Sequence, residues 1–386
     1  MRQLKKWLKN KLVNVLVPEI DQRLAINQKL EEVGLYGTAP WYKENLWEPT
    51  VQLVLRDLCL PGDTVFDVGA NFAGLTTIMS RMVGPKGTVC SFEASPRIVD
   101  KCQRNIVNNG CSNTQLFHSA VYSKSYEKVP LYLGTHLNDS IYKDYSVGEA
   151  AYEISTIALD DFVEHTNLKP NLVKMDIEGA EFDAIQGMEK TIRSIKPHLI
   201  LETQAEDSRC LDFLSALGYI SIDLNTYKII KTPEDYPSGV GIRNNLYIHR
   251  DRLSETSYNP PFNFKKITTL ESNHFKKEKN GSINLQKPLS LSKGRYLIDV
   301  MFTAEGTDND LTCGVNVAGK PIFRYHAYSN LLASHYRDWV IHLSNDSEID
   351  LYFNFLNQTF DDTLLIQRAT ITEILDFKNT FTNLYI

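Results

Sequence analysis

The stretch TVFDVGANFAGLTT, residues 64–77, decides the fold. A β-branched and aromatic run closes on Asp67, Gly69 follows two residues later, and from Gly74 onward the apolar residues take up helical spacing. The pattern predicts a buried strand, a tight glycine turn, and a helix whose N-terminal amides and dipole face the strand ends. In a doubly wound sheet that corner opens on the ligand cleft. A dinucleotide fold needs glycine at the second motif position so that a pyrophosphate can touch the backbone. Here that position is Asn71, and G-x-N-x-x-G speaks against a dinucleotide.

The next strand, TVCSFE at residues 88–93, ends in Glu93, placed to accept both hydroxyls of a ribose. A glycine turn with an acid at the end of each of two strands suits a nucleoside that carries a positive centre and no phosphate. S-adenosylmethionine is such a molecule. For Gly69 alone a plain strand-to-helix corner is the better reading; Asp67, Gly69, Asn71 and Glu93 together favour the nucleoside.

A chain of 386 residues is long enough for two domains and an appendage. Its 42% hydrophobic and 23% charged residues are those of a globular protein, and a net charge of −6 gives no electrostatic reason to expect nucleic acid. The six cysteines are scattered without C-x-x-C spacing, so neither a zinc site nor a disulfide framework is expected, and reduced thiols point to the cytoplasm. No apolar run reaches the ~18–20 residues that span a bilayer, and the basic N-terminus lacks a signal-peptide pattern. Leu4, Trp7, Leu8, Leu12, Val15 and Leu16 do form an apolar stripe beside Arg2, Lys5, Lys6, Lys9 and Lys11. An amphipathic helix over residues 2–17 either lies on an anionic membrane surface or, the commoner outcome, packs on its own protein or on a second subunit of a homo-oligomer.

Residues 1–45 read as a helical arm, broken at Pro18 and stopped at Gly34. From 46 to 250 strand-like runs alternate with amphipathic stretches, the pattern of a parallel sheet with crossover helices. The strands are TVFDVG, TVCSFE, TQLFHSAV, LVKMDI, HLILET, YISIDLN and NLYIHR, the last two joined as a hairpin with one strand antiparallel to the rest. Residues 251–265 read as a linker, and 266–386 carry the short alternating strands of an antiparallel β-sandwich of jelly-roll type.

A second constellation lies in LVKMDIEGAEFDAIQGM, residues 172–188: a buried strand, then Asp176, Glu178 and Glu181 around a glycine, then a helix. As the sheet's fourth strand it would abut the first across the topological switch point, with HLILET bringing Glu202 to the same edge. Clustered carboxylates raise one another's pKa, leave one as general base near neutral pH, and stabilise a sulfonium or a metal ion. Glu181 is expected mainly to favour the helix N-terminus through its dipole. Asp176 is read as functional, and Glu178 stays open between the two roles.

FDVGANFAGLT, SFEASPRIVDKCQRNI, ISTIALDDF, LVKMDIEGAEFDAIQGM and KPHLILE, in this order and spacing, resemble the FkbM-type S-adenosylmethionine-dependent methyltransferases, from about residue 47 to about residue 250. The resemblance implies a class I, Rossmann-like α/β methyltransferase fold with a seven-stranded sheet and an antiparallel last strand, and O-methylation of sugar or natural-product hydroxyls. It implies that Asp67, Gly69 and Asn71, with Phe72 in the same turn, line the methionine portion of the cofactor. Glu93 would bind the ribose, Ser119 and Ala120 would pass near the adenine, Asp176 would sit beside the sulfonium, and Glu48 would reach the cofactor from above. The family usually has glycine where this chain has Ala73. Alanine resists positive φ, so the turn is expected to keep its shape only if that position is not left-handed.

Methyl transfer to a hydroxyl is an in-line displacement that needs a base, and the candidates are Asp176 and Glu178 with Glu202 behind them. His118 reads as a packed residue of the third strand. His136 and Asn138, in the loop GTHLNDSIY, are candidates for binding acceptor hydroxyls; no His-rich ligand spacing occurs, and no metal is expected. FRYHAYSNLLASHYRDW, residues 323–339, concentrates aromatics, Tyr328 and Trp339 among them, of the kind that line a sugar-binding surface, although such residues more often pack inside a sandwich. The expected function is O-methylation of a sugar, glycan or lipid-linked glycan, the C-terminal domain recruiting the acceptor. A small natural product is the alternative acceptor, and a non-catalytic glycan-binding protein with a relict methyltransferase fold the alternative of another class.

Overall fold

A computed structural model of the chain describes residues 48–134, 139–143, 150–237, 240–278, 281–305, 311–317, 319–327, 334–343, 345–355 and 363–375. The N-terminal arm, including residues 2–17, lies outside the described residues, as do His136, Asn138 and Tyr328.

The first half alternates strands and helices in the order the hydrophobic pattern predicts. Helix α1 (Pro49–Leu58) precedes β1 (Thr64–Val68), α2 (Gly74–Val83), β2 (Thr88–Glu93), α3 (Val99–Asn108) and β3 (Thr114–His118). Then come β4 (Ala120–Val121), β5 (Lys128–Tyr132), β6 (Ala150–Ile157), α4 (Leu159–Thr166), β7 (Leu172–Met175), α5 (Glu181–Gln186) and α6 (Glu189–Ile195). Strands β8 (His198–Gln204), β9 (Tyr219–Asp223), β10 (Ile229–Ile230) and β11 (Ile242–His249) follow, with α7 (Arg209–Ala216) between β8 and β9. The main sheet runs β10-β9-β11-β8-β7-β1-β2-β3. β1 pairs in parallel with β2 on one side and β7 on the other, so the strand order reverses between β1 and β7. β11 is antiparallel to both β8 and β9, as the hairpin reading predicts. The arrangement is a class I methyltransferase-like α/β fold with eight strands rather than seven. The extra one is the two-residue β10, folded back on β9 by the polar segment that joins β9 to β11.

TQLFHSAV is not one strand. It breaks at Ser119, whose N–H bonds Glu93 O at 3.2 Å, and β4 leaves the main sheet to pair with β6, itself paired with β5. His118 is exposed rather than packed, because β3 is the free edge of the main sheet.

The second half is antiparallel: β12 (Asn263–Glu271), β13 (Phe275–Lys277), β14 (Ile283–Leu285), β15 (Leu289–Leu291), β16 (Gly294–Glu305), β17 (Leu311–Val317), β18 (Lys320–Ala327), β19 (Ser334–Leu343), β20 (Ser347–Phe355) and β21 (Thr363–Leu375). One sheet runs β12-β21-β16-β19; the other runs β13-β14-β20-β17-β18, with β15 also on β20. Strand alternation sends Ile298, Val300, Phe302, Trp339 and Ile341 into a core shared with Leu285, Val315 and Phe353 of the other sheet. The opposite face of the first sheet is apolar too: Leu297, Val340 and Ile374 join a core with Val51, Val54 and Leu55 of α1. Trp339, expected on a sugar-binding surface, is 1% exposed inside the inter-sheet core. Its neighbours at 341 and 343 share its face and are buried with it, and this fixes its direction.

Candidate active site

Register puts the chemistry on one face of the sheet. Asp67 pairs with Lys174 across β1 and β7, and Asn244 pairs with Glu202 across β11 and β8. Two residues apart along a strand means the same face. Val65 and Leu172, one step back from Asp67 and Lys174, pack in the core under α1 and α2, as do Ile200 and Leu246 beside Glu202 and Asn244. The polar ends of these strands therefore continue that face at the carboxyl edge, where Glu48, at the start of α1, reaches them.

Lys174 sits at the centre, 1% exposed at its side chain, its Nζ 3.0 Å from Asp176 Oδ2 and 4.0 Å from Glu48 Oε2. The Asn244 amide donates to Glu48 Oε1 at 3.1 Å and to Glu202 Oε1 at 3.2 Å. Oxygens of Glu48, Asp176 and Glu202 lie within 4.8 Å of one another, and the Lys174 ammonium is the cation this cluster holds. Burial works against the Lys174 charge, yet Asp176, Glu48, Asp67 and Glu202 together hold its pKa above the ordinary lysine value. One ammonium cannot neutralise every carboxyl. Burial pushes Glu48 up to about 7 despite Lys174, and it raises Glu202 well above the usual carboxylate range, with Asp176 and Glu48 adding to the effect. Glu178, half-buried and facing Asp176 and Glu181, is pushed up to about 8.

The turn after β1 is built against this cluster. Gly69 has φ +84, and a Cβ there would lie 1.8 Å from the Asp176 carbonyl oxygen, so only glycine lets the β1 turn meet the β7 turn. Glu93 clips the same turn to the end of β2: its Oε2 accepts Asn71 N–H at 2.8 Å and its Oε1 accepts Ser95 N–H at 2.7 Å. Burial still lifts Glu93 to about 7, the two amides opposing. Asp67 accepts Thr76 Oγ1–H at 2.5 Å through Oδ2, while its buried Oδ1 has no partner; burial raises its pKa, with Lys174 opposing.

Ala73 overturns the expectation set for it. The residue is left-handed, φ 63 and ψ 26, and the turn forms nonetheless. Its methyl is buried against Cys102 and Ile106, so roughly 0.8 kcal/mol of burial offsets part of the ~1–2 kcal/mol cost of that conformation.

Gly69, Asn71, Glu93, Ser119, Ala120 and Asp176 line one cleft, with Asp139 and Ile141 along its side. Glu178 lines it too, and also a second cleft with Phe182, Glu202, Gln204, Asp207 and Ile242. Asp67, Glu48 and Phe72 are not among the residues that line the first cleft. Asp67 lies beneath the turn, and Glu48 belongs to the lysine cluster. Phe72, expected on the cofactor, is buried under the Lys101 ammonium at 5.9 Å, its carbonyl accepting Asn105 at 2.8 Å. Glu181 keeps the structural role expected of it, accepting Ile177 N–H at 2.8 Å and Gly179 N–H at 3.1 Å. Asp139 pairs with Arg97 and accepts Ser95 Oγ–H at 2.5 Å, while Ser140 Oγ donates to the Glu178 carbonyl at 2.7 Å, so the Asp and Ser of GTHLNDSIY, open between acceptor binding and plain polar loop, make contacts within the protein.

Lys174 and Asn244 escaped it as well. A lysine inside the buried run LVKM was the available signal, since a buried ammonium is almost always paired. Asn244 had none, because its place depends on how β11 inserts into the sheet.

The cleft is suited to S-adenosylmethionine. Glu93 and Asn71 line it together with Asp176, and the buried Asp67 Oδ1 beneath the turn is without a hydrogen-bond partner.

Among known proteins, the family model described as the methyltransferase FkbM domain matches residues 67–221. The hexuronic acid methyltransferase AglP of Haloferax volcanii is 30% identical over 148 residues, 37% of this chain and 56% of that protein. Methyltransferase 1 of Beauveria bassiana is 26% identical over 163 residues, 37% of this chain and 65% of that protein. The chain thus spans less than two thirds of either curated relative. A crystal structure of methyltransferase FkbM from Methylobacillus flagellatus aligns with a TM-score of 0.34 at 17% identity, covering 60% of each chain. Residues 67–221 are thus similar to the methyltransferase FkbM domain.

Proposed function

We propose that the protein is an S-adenosylmethionine-dependent O-methyltransferase acting on a hydroxyl of a sugar or glycan. The observation that carries the reading is Glu178, which borders both the cleft lined by Glu93 and the second cleft beside it. A carboxyl shared by two clefts can serve a reaction between their occupants.

When bound, S-adenosylmethionine supplies a methyl on a sulfonium. Glu93 would take the ribose hydroxyls and Asn71 would meet the methionine end, with Asp67 beneath the turn that carries it. Glu178 would be the base: its carboxylate would take the proton of the acceptor hydroxyl that receives the methyl group. A pKa of about 8 places it close to working pH, where a general base is most effective. Asp176 lines the same cleft, its Oδ2 paired with Lys174 Nζ. The sugar class of acceptor is supported by the likeness to a hexuronic acid methyltransferase.

Calorimetric titration with S-adenosylmethionine, on the wild type and on Glu93→Ala, tests the cofactor assignment; absence of binding by the wild type defeats the enzyme reading. Methyl transfer to D-glucuronic acid and to neutral hexosides then tests the acceptor class. Turnover only with non-carbohydrate alcohols would reject the sugar.

A further inference from the structure

Two buried arginines tie the C-terminal sheets to the elements that carry Glu48 and Asn244. Arg295, on β16 and 4% exposed, donates to Tyr227 Oη at 2.7 Å and Tyr258 Oη at 3.0 Å and pairs with Asp57, which also accepts Tyr258 Oη–H at 2.7 Å. Asp57 lies in the last turn of α1 and Glu48 caps its start. A helix of 10 residues is a rod about 15 Å long, so what grips one end places the other. Arg243 makes a double fork: it donates to Asp223 Oδ1 at 3.1 Å and Oδ2 at 2.6 Å, and to Asp338 Oδ1 at 2.6 Å and Oδ2 at 3.1 Å. Asp338 belongs to β19. Arg243 precedes Asn244, whose amide bridges Glu48 and Glu202. Between the two clamps Leu297, Val340 and Ile374 pack on α1. A recruiting module on a linker needs none of this, since linked domains ordinarily meet through modest polar surfaces.

We propose that the C-terminal sheets are a positioning element for the carboxylate cluster, with Arg243 and Arg295 as positioning residues that act through Asn244 and α1. The proposal rests on the methyltransferase reading, and its test separates the two. Glu48 is faced by Lys174, Asp176 and Glu178 from β7 and its turn, Asp67 from β1, Glu202 from β8 and Asn244 from β11. Ionised carboxylates favour a sulfonium, whereas S-adenosylhomocysteine carries no charge on sulfur. The ratio of the two affinities therefore reports the state of the cluster. In the wild type the preference for S-adenosylmethionine should grow as pH rises through about 7, where buried Glu48 loses its proton. A loosened α1 or β11 admits water and moves that midpoint down towards the ordinary glutamate value.

The full-length chain is titrated with both ligands from about pH 5 to about pH 9, as wild type, Asp338→Asn and Tyr258→Phe. The expected result is a lower midpoint in both variants, with affinity for S-adenosylhomocysteine held within roughly threefold. A lowered melting temperature with an unmoved midpoint overturns the proposal, because the arginines then only hold two units together. Tyr258→Phe, which deletes one hydroxyl, decides the matter if Asp338→Asn does not fold. Binding of neither ligand by the wild type defeats the methyltransferase reading and this proposal with it.

Discussion

Replacing Gly69 with alanine should break the cleft from within. The added Cβ would stand 1.8 Å from the Asp176 carbonyl oxygen and 2.9 Å from its carbon, where ordinary contact begins near 3.4 Å. The turn must therefore retreat by 3.4 − 1.8, about 1.6 Å, at a residue whose φ of +84 already disfavours a side chain. The left-handed backbone costs about 1–2 kcal/mol and the forced repacking about 1–3 kcal/mol, together about 2–5 kcal/mol. The retreat also pulls on Asp176 N–H, bonded to Val68 O at 3.0 Å, and on Asn71 N–H, bonded to Glu93. Urea denaturation should register the lost stability, and calorimetry a fall of at least tenfold in S-adenosylmethionine affinity, about 1.4 kcal/mol. A variant within ~0.5 kcal/mol of the wild type that binds as before would refute the packing of the two turns and the cluster built on it.

Glu178→Gln should lower methyl transfer by roughly 10²–10⁴-fold while S-adenosylmethionine still binds, and the wild-type rate should rise with pH through about 8; an unchanged rate would remove Glu178 as base. Burial raises Glu48 and Glu93 from 4.5 to about 7, so the unfolded chain releases these protons first as pH rises. Unliganded stability should accordingly fall from pH 4.5 through about 7, with Glu178 carrying the fall on to about 8, the reverse of a salt-bridged carboxylate, and Glu48→Gln should make the fall shallower. Denaturant midpoints that rise over that window would contradict the burial argument. Trp339→Ala should cost about 3–5 kcal/mol without a selective effect on glycan binding. A variant that keeps its melting temperature and loses glycan affinity would restore Trp339 to a binding role.

The strands of the main sheet, the turn at Gly69 and the carboxylates of the cleft were legible because each is a local pattern. Apolar runs end in acids, and the glycine sits where a strand must meet a helix. What failed depended on neighbours distant in sequence. His118 was read as packed because its strand is apolar enough, but edge position is a property of sheet order. Asn244 was invisible for the same reason. Trp339 stayed open between a sugar-binding surface and sandwich packing although DWVIHL carried the answer: with apolar residues on both faces, the strand had to be buried on both sides, and its aromatic could not be a surface platform. At Ala73 the expectation treated positive φ as forbidding a side chain, whereas the methyl is buried against Cys102 and Ile106.

The apolar outer face of the first C-terminal sheet follows from the same economy. Glu48, Asn71, Ala73 and Glu178 all hold positive φ, and several carboxyls are buried around a single lysine. Non-glycine residues held in that region cost of order 1–3 kcal/mol each, and half-neutralised buried carboxyls add to it. The strain is concentrated where β1, β7 and α1 converge, so an α/β unit standing alone would tend to relax there first. A sheet that buries Leu297, Val340 and Ile374 against α1 supplies compensating apolar contact at that place, and its two arginine clamps restrain both α1 and β11. Removing the C-terminal sheets should therefore weaken cofactor binding; a truncated chain that folds and binds S-adenosylmethionine with wild-type affinity would show that the cleft needs no such support.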